Sequence, residues 1–325
     1  MKKILRYISI LFLLALSCFW MKGSLAKAVT PVKRWGQLKV SGTNIVSESG
    51  KKVQLKGVST HGIAWFPQYV NKSCFQSFRK MGANTIRLAF YSDPAAGYST
   101  KLYSKVEEGI QYATELGMYV ILDWHILSDG NPKTHQKEAL KFFTYFAKKF
   151  GKQNNIIYEI CNEPNGNVTW KKNIKPYAGK VIKRIRKYDK KNIVIVGTPT
   201  WSQDVDVVAQ SPLKQKNIVY ALHFYAATHT EAIRDKVKKA HQAGLPMLVS
   251  EFNICDASGN GRVDKKSAKK WMKLLNQYKI GYVAWNVSNK NETSALLKSN
   301  CRKTGNFTKK NLSKSGQWIV KQWKK

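Results

Sequence analysis

Eight short apolar runs, most of them separated by stretches with helical spacing, constrain the fold of this chain more than any other feature. They cover residues 53–58, 85–90, 119–124, 156–160, 192–197, 217–223, 247–251 and 282–286. Most are apolar throughout rather than alternating, the pattern of strands covered on both faces, as in parallel sheets. Helix-like stretches fall between most of them, at 72–81, 101–116, 136–150, 174–188, 230–243 and 265–278. Gly82, Gly117, Gly151 and Gly244 follow four of these and read as C-terminal caps. Eight strands alternating with helices predict an α/β fold, a single (β/α)8 TIM barrel. A doubly wound open sheet would alternate similarly. It usually carries a Gly-rich loop after its first strand, and Val58-Ser59-Thr60-His61-Gly62 is not one. Ahead of the first run, residues 35–57 alternate in period two with Gly and Ser at the turns, which predicts a small N-terminal β-hairpin. Residues 205–210 are a weak, short element, and an amphipathic stretch at 312–323 closes the chain.

No Pro/Ser/Thr linker or internal repeat divides the chain, so residues 29–325 read as one domain. The first 28 residues read as an export signal: Lys2, Lys3 and Arg6, then an apolar core over 7–20, then Ala26-Lys27-Ala28. That core is too short to span a membrane comfortably, and no other apolar stretch approaches about 18 residues. The expectation is a secreted monomer without a transmembrane segment. Export permits disulfides, yet Cys74, Cys161, Cys255 and Cys301 are widely spaced and match no metal pattern. They read as small buried residues, with one bridge left open.

The chain holds 56 Lys and Arg against 19 Asp and Glu, a formal charge of +37. Removing residues 1–28, with five basic residues and no acid, leaves +32. Dispersed along the sequence, this charge reads first as a solvated basic surface. It would also draw the protein to polyanions, such as an anionic cell wall or acidic plant polymers. No helix-turn-helix, zinc-finger or RNA-recognition signature supports specific nucleic-acid binding.

In a barrel of this kind, the active face lies where strands lead into the following loops. Polar and aromatic residues gather there: His61 and Trp65 after the first run, Arg87 in the second with Tyr91 after it, Asp123-Trp124-His125 at the third. Asn162-Glu163-Pro164 closes the fourth, Trp201 follows the fifth, His223-Phe224-Tyr225 closes the sixth, Glu251 the seventh, and Trp285 with Lys290 and Glu292 belong to the eighth. Glu163 and Glu251 end apolar runs in a chain poor in carboxylates. Two convergent carboxylates suit glycosidic-bond hydrolysis, one as acid and one as nucleophile or base. Arg87 or His223 beside a carboxylate would favour its ionised form, Tyr225 would bond the nucleophile, and Asn162 the sugar 2-hydroxyl. Trp65, Trp201 and Trp285 offer flat faces to sugar rings. Each has a structural alternative: Arg87 neutralising a buried acid, Asp123 capping a loop, His61, His125 and His223 as bonded core histidines. A metal site lacks a supporting His-Glu-x-x-His spacing, and Ser250 lacks a Gly-x-Ser-x-Gly elbow. Neither metal nor cofactor is expected.

The ordered set Asp123-Trp124-His125-Ile126-Leu127-Ser128, Ile157-Tyr158-Glu159-Ile160, Asn162-Glu163-Pro164, Trp201-Ser202-Gln203-Asp204, His223-Phe224-Tyr225, Ser250-Glu251-Phe252 and Lys290-Asn291-Glu292-Thr293-Ser294-Ala295 resembles glycoside hydrolase family 5. Within it, the bacterial endo-β-1,4-glucanases are the best match, over residues 33 to about 323. The resemblance implies a retaining double displacement on β-glucan, with Glu163 as acid/base and Glu251 as nucleophile. Arg87, His125, Asn162, His223, Tyr225 and Trp285 match the family's other central positions. His61, Trp65, Tyr91, Trp201, Lys290 and Glu292 match positions that bind flanking sugars. Phe252-Asn253 departs from the Trp-Gly that often follows the nucleophile in relatives, and Cys161 stands where a small apolar residue is common. Mixed-linkage glucan, xyloglucan and mannan are neighbouring substrates. A non-catalytic wall-binding protein is the reading from another class.

Overall fold

A computed structural model describes residues 29–324; the export signal expected over residues 1–28 lies outside the described residues. Eight parallel strands close into a barrel: β3 (Lys56–Thr60), β4 (Thr85–Tyr91), β5 (Tyr119–His125), β6 (Ile156–Glu159), β7 (Ile193–Val196), β8 (Ile218–Tyr225), β9 (Met247–Asn253) and β10 (Tyr282–Val287). β10 pairs with both β9 and β3, so no edge is left open. Helices α1 (Pro31–Trp35), α2 (Lys72–Met81), α3 (Tyr103–Glu115), α4 (Gln136–Phe150), α5 (Lys175–Ile185), α6 (Val205–Ala209), α7 (Glu231–Gln242), α8 (Lys265–Tyr278) and α9 (Lys314–Gln322) complete the fold. The predicted hairpin is β1 (Lys39–Ser41) with β2 (Asn44–Val46).

The continuous apolar strands have the expected cause, since every residue of β4, β5 and β9 is buried. One set of side chains meets the helices. The other fills the barrel: Tyr119, Ile121, Ile157, Ile193, Ile195, Val219, Ala221, Leu248 and Val283 pack together with Leu38 and Ile45 of the hairpin segment. The hairpin therefore seals the end of the barrel away from the strand C-termini. Cys74, Cys161, Cys255 and Cys301 are buried free thiols. No helix among the described residues is long and apolar enough to cross a membrane.

Several boundaries differ from the sequence reading. The first barrel strand begins at Lys56 rather than Val53, because Val53 donates to Ile45 O at 2.9 Å and belongs to the hairpin's hydrogen bonding. Glu163 is not at a strand tip: β6 stops at Glu159, and Glu163 lies in the loop beyond. Glu251 is inside β9, which runs on to Asn253. Gly82 caps α2 with φ 115°, the left-handed geometry expected of a cap. Gly151 after α4 has φ −65°, so conformation does not require glycine there. Space does: a Cβ would lie 2.4 Å from Ala147 O and 2.8 Å from Asp189 Cβ.

Candidate active site

Arg87 organises the barrel's C-terminal end. It is fully buried, and its Nε donates to Glu159 Oε2 at 2.7 Å. One terminal nitrogen reaches Glu251 Oε2 at 3.1 Å; the other reaches Asn162 Oδ1 at 2.6 Å and Asp123 Oδ2 at 3.0 Å. Arg87 thus lies against three buried acids, Asp123, Glu159 and Glu251. Asp123 caps no loop. Its Oδ2 accepts from His125 Nδ1 at 2.6 Å. Burial lowers His125 to about 3, with the Arg87 cation adding to the effect, so its ring is neutral with the proton on Nδ1. Burial pushes Asp123 well above the usual carboxylate range, against the pull of Arg87.

β9 brings two consecutive side chains into the interior. Its pairing with β8 shifts register between Ala221 and His223, so Leu248 faces Ala221 while Glu251 faces His223. Strict alternation would turn Ser250 inward and Glu251 outward. The irregularity turns both inward, a common use of bulges beside active sites.

Ser250 completes a chain of hydrogen bonds that the sequence reading missed. His223 Nδ1 faces Glu163 Oε1 at 2.9 Å, and His223 Nε2 faces Ser250 Oγ at 2.9 Å. Ser250 Oγ in turn donates to Glu159 Oε1 at 2.6 Å. With the hydroxyl proton committed to Glu159, both ring nitrogens of His223 face acceptors, so the imidazole carries both protons. The electrostatics agree: burial opposes the charge, but the carboxylates of Glu159 and Glu163 outweigh it and raise His223 to about 9. Burial pushes Glu159 up, while Arg87 and His223 pull it down further, to about 2. Glu159 stands in the Ile157-Tyr158-Glu159-Ile160 motif, and its charge within an apolar run is the signal that marks it. Ser250 offers no such signal.

The two candidate glutamates are held differently. Glu251 accepts at both oxygens, from Arg87 and from the Tyr225 hydroxyl at 2.8 Å. Burial, with Glu251 next, keeps that phenol protonated. Glu163 is fixed at Oε1 by His223, and its Oε2 has no partner among the described residues. Oxygens of Glu163 and Glu251 and a nitrogen of His223 lie within 4.8 Å of one another. Such a trio can ligate a metal. Here both His223 nitrogens already face protein partners, Glu163 Oε1 and Ser250 Oγ.

A cleft of about 730 Å³ opens over these groups. It is lined by every predicted site residue except Arg87 and Asn162, which are fully buried beneath it. Trp285 stacks on His125 with ring centroids 5.0 Å apart, and Trp65 leans on Tyr91 at 4.9 Å. His61 accepts from Gly62 N–H at 2.7 Å through Nδ1, and burial lowers it to about 4. Lys290 pairs with Glu292 at 2.6 Å, and Asn286 and Ser294 hold the other oxygen of that carboxylate. Trp65 and Trp201 are 48% and 45% exposed, which leaves flat apolar faces open to a ligand. Trp201 sits in an unusual backbone: Thr200, Trp201 and Ser202 all have φ between 53° and 57°. Such non-glycine residues cost about 1–3 kcal/mol each and persist where surroundings over-determine them. Here Trp201 N–H donates to Pro164 O at 3.0 Å, Ser202 Oγ to Asn162 O at 2.7 Å, and Thr200 Oγ1 to Asp204 Oδ2 at 2.6 Å. The loop carrying Trp201 is thereby tied to the loop carrying Glu163. His229 and Ser258, neither a candidate in the sequence, also line the cleft, as does Gln203 of the Trp201–Asp204 motif. The Tyr225 N–H donates to His229 Nδ1 at 2.9 Å, and burial keeps that ring neutral.

The sequence pattern of the cellulase family, glycosyl hydrolase family 5, matches residues 46–291. An endoglucanase of Clostridium saccharobutylicum is 45% identical over 290 residues, 88% of this chain and 64% of its own length. Endoglucanase N of Pectobacterium atrosepticum is 44% identical over 300 residues, covering 91% of this chain and 67% of its own. The chain thus spans about two thirds of the length of these relatives. Among solved structures, Cellulase Cel5C_n superposes with a TM-score of 0.88 at 39% identity, over 92% of this chain and 95% of that one. The catalytic domain of Thermobifida fusca endoglucanase Cel5A, in complex with cellotetraose, gives 0.85 at 34% identity, over 91% and 100% of the two chains. With the family pattern over most of its length and relatives of this identity, the chain belongs to the cellulase family, glycosyl hydrolase family 5.

Proposed function

We propose that this protein is an endo-β-1,4-glucanase that cuts internal bonds of cellulose and related β-glucans with retention of anomeric configuration. The observation that carries this reading is the approach of Glu163 and Glu251, with oxygens within 4.8 Å across an open cleft. Retaining glycosidases place their carboxyl groups about 5–5.5 Å apart, whereas inverting ones need about 6.5–9.5 Å to admit a water. The names of the relatives support the substrate class.

In this mechanism Glu251 attacks the anomeric carbon while Glu163 protonates the departing glycosidic oxygen. Glu163 then takes a proton from water, which attacks the same carbon and releases Glu251. Arg87 and Tyr225 hold the nucleophile at both oxygens, and the His223 imidazolium anchors Glu163 at Oε1, leaving Oε2 to face the leaving group. Asn162 reaches the sugar 2-hydroxyl by exchanging its long 3.3 Å contact to His125 Nε2. Trp285 and His125 floor the central sugar. His61, Trp65 and Tyr91 take sugars on one side, Trp201 on another, and Lys290 with Glu292 bonds hydroxyls at the rim. Residues 29–325 form the catalytic domain, and residues 1–28 direct export.

The test is viscosity loss and reducing-sugar release on carboxymethyl cellulose by the wild type, Glu163→Gln and Glu251→Gln. Rapid viscosity loss that vanishes in both variants is expected. Early product of α configuration, read by proton NMR, would replace retention with inversion.

A further inference from the structure

The excess of positive charge is unevenly neutralised over the surface. On α7, Arg234 and Lys238 pair with Glu231, Lys238 also with Asp235, and Lys236 reaches Asp204. The flank made by α4 and α5 differs. α4 carries four lysines and one acid, Glu138; α5 carries three lysines and Arg184 with no acid. A surface groove of about 620 Å³ lies here, lined by Lys141, Thr144, Tyr145, Lys148, Lys149 and Arg184. None of these residues lines the catalytic cleft.

The helical period places Lys141, Tyr145 and Lys148 on one face of α4. Among the described residues, no carboxylate pairs with Lys141, Lys148 or Arg184. Lys149 pairs with Glu107 at 2.5 Å, and the same carboxylate anchors the Tyr145 hydroxyl. The Tyr145 ring also rests against Tyr103 at 5.3 Å and Phe146 at 5.1 Å, yet stays 41% exposed. The groove thus presents a positioned aromatic ring among three unpaired cations.

We propose that this groove docks an acidic polysaccharide, a linear polyuronate. The ring suits the apolar face of a pyranose, and the flanking cations suit its carboxylates. A phosphodiester polymer without sugar rings would use the cations and leave Tyr145 idle. A neutral glucan would use the ring and leave the cations unused. Such docking would hold the protein in an acidic matrix while the cleft works on neutral chains.

The test compares binding of polygalacturonate and of poly(glycerol phosphate) by affinity electrophoresis at low salt. The variants are Lys141→Gln/Lys148→Gln/Arg184→Gln, Tyr145→Leu, and a control of equal charge change on α8, Lys266→Gln/Lys269→Gln/Lys273→Gln. The groove triple variant should bind polygalacturonate about tenfold more weakly. Tyr145→Leu should weaken it severalfold, and the α8 triple less than twofold. Equal loss in the two triple variants would assign the binding to diffuse charge and overturn the proposal. An unchanged Tyr145→Leu, or poly(glycerol phosphate) bound as tightly as polygalacturonate, would do the same. Hydrolysis of neutral β-glucan should stay at the wild-type level in every variant, since all lie outside the cleft. The binding readout stands whether or not the cleft reading holds.

Discussion

Ser250→Ala removes one hydroxyl and should change both the stability of the barrel and its dependence on pH. The hydroxyl donates to Glu159 at 2.6 Å and accepts from His223 at 2.9 Å. Each bond involves a charged partner, and such bonds contribute about 1.5–3 kcal/mol. The two are not equally present at every pH. His223 is raised from 6.5 to about 9, so its charged form adds stability that is complete below pH 6.5 and is lost as pH rises through 9. That shift corresponds to about 3 kcal/mol. Without Ser250 the imidazolium loses its Nε2 acceptor, and Glu159, 3.7 Å away, is too distant to replace it directly. A loss of about 2 kcal/mol there lowers the imidazole below its wild-type value. At pH 5.5 the variant should therefore be less stable by about 4 kcal/mol, both bonds being lost. At pH 9.5, with His223 largely neutral in either protein, the bond to Glu159 remains as the main difference, about 2 kcal/mol. Guanidinium unfolding at the two pH values measures both quantities. A deficit equal at both pH values, or larger at pH 9.5, would refute the doubly protonated His223.

Three further outcomes follow from the geometry. Tyr225→Phe removes the 2.8 Å bond to Glu251 and should lower kcat/KM by about 10- to 100-fold with the fold intact by circular dichroism; a change under twofold would separate Tyr225 from the reaction. Trp201→Ala should raise KM on cello-oligosaccharides about threefold to tenfold with kcat largely kept, as loss of one stacking face implies; an unchanged KM would place no sugar on Trp201. Gly151→Ala drives a Cβ to 2.4 Å from a backbone oxygen and should cost about 1–3 kcal/mol in thermal unfolding, whereas a neutral result would show that α4 and Asp189 part easily.

Much of this was legible in the sequence because burial on two faces leaves a strong signature. Strands such as Tyr119–His125 are apolar almost throughout, and each lies in the closed barrel. Glu163 and Glu251 stood out because a carboxylate beside such a run needs a partner, and the cleft brings both together with the predicted aromatics. Elsewhere the signal fails for identifiable reasons. Thr200-Trp201-Ser202 contains no glycine or asparagine to announce three left-handed residues; contacts to Pro164 and Asn162, distant in sequence, help hold them there, with a local bond to Asp204.

The placement of Glu251 shows the limit most clearly. Period two assigns Ser250 and Glu251 to opposite faces of β9, so one of them should meet the helices. A register shift against β8 lets both enter, and it has no local sequence mark because it depends on the neighbouring strand. Its consequence is chemical. Glu251 gains Arg87 and Tyr225, and Ser250 links His223 to Glu159. Glu159 in turn bonds the same Arg87, which closes a path from Glu163 through His223, Ser250, Glu159 and Arg87 to Glu251. Each carboxylate is therefore positioned by groups that also position the other. Deleting a middle member such as Ser250 should disturb both, and a double variant pairing Ser250→Ala with Tyr225→Phe should deviate from additivity more than Trp201→Ala with Tyr225→Phe.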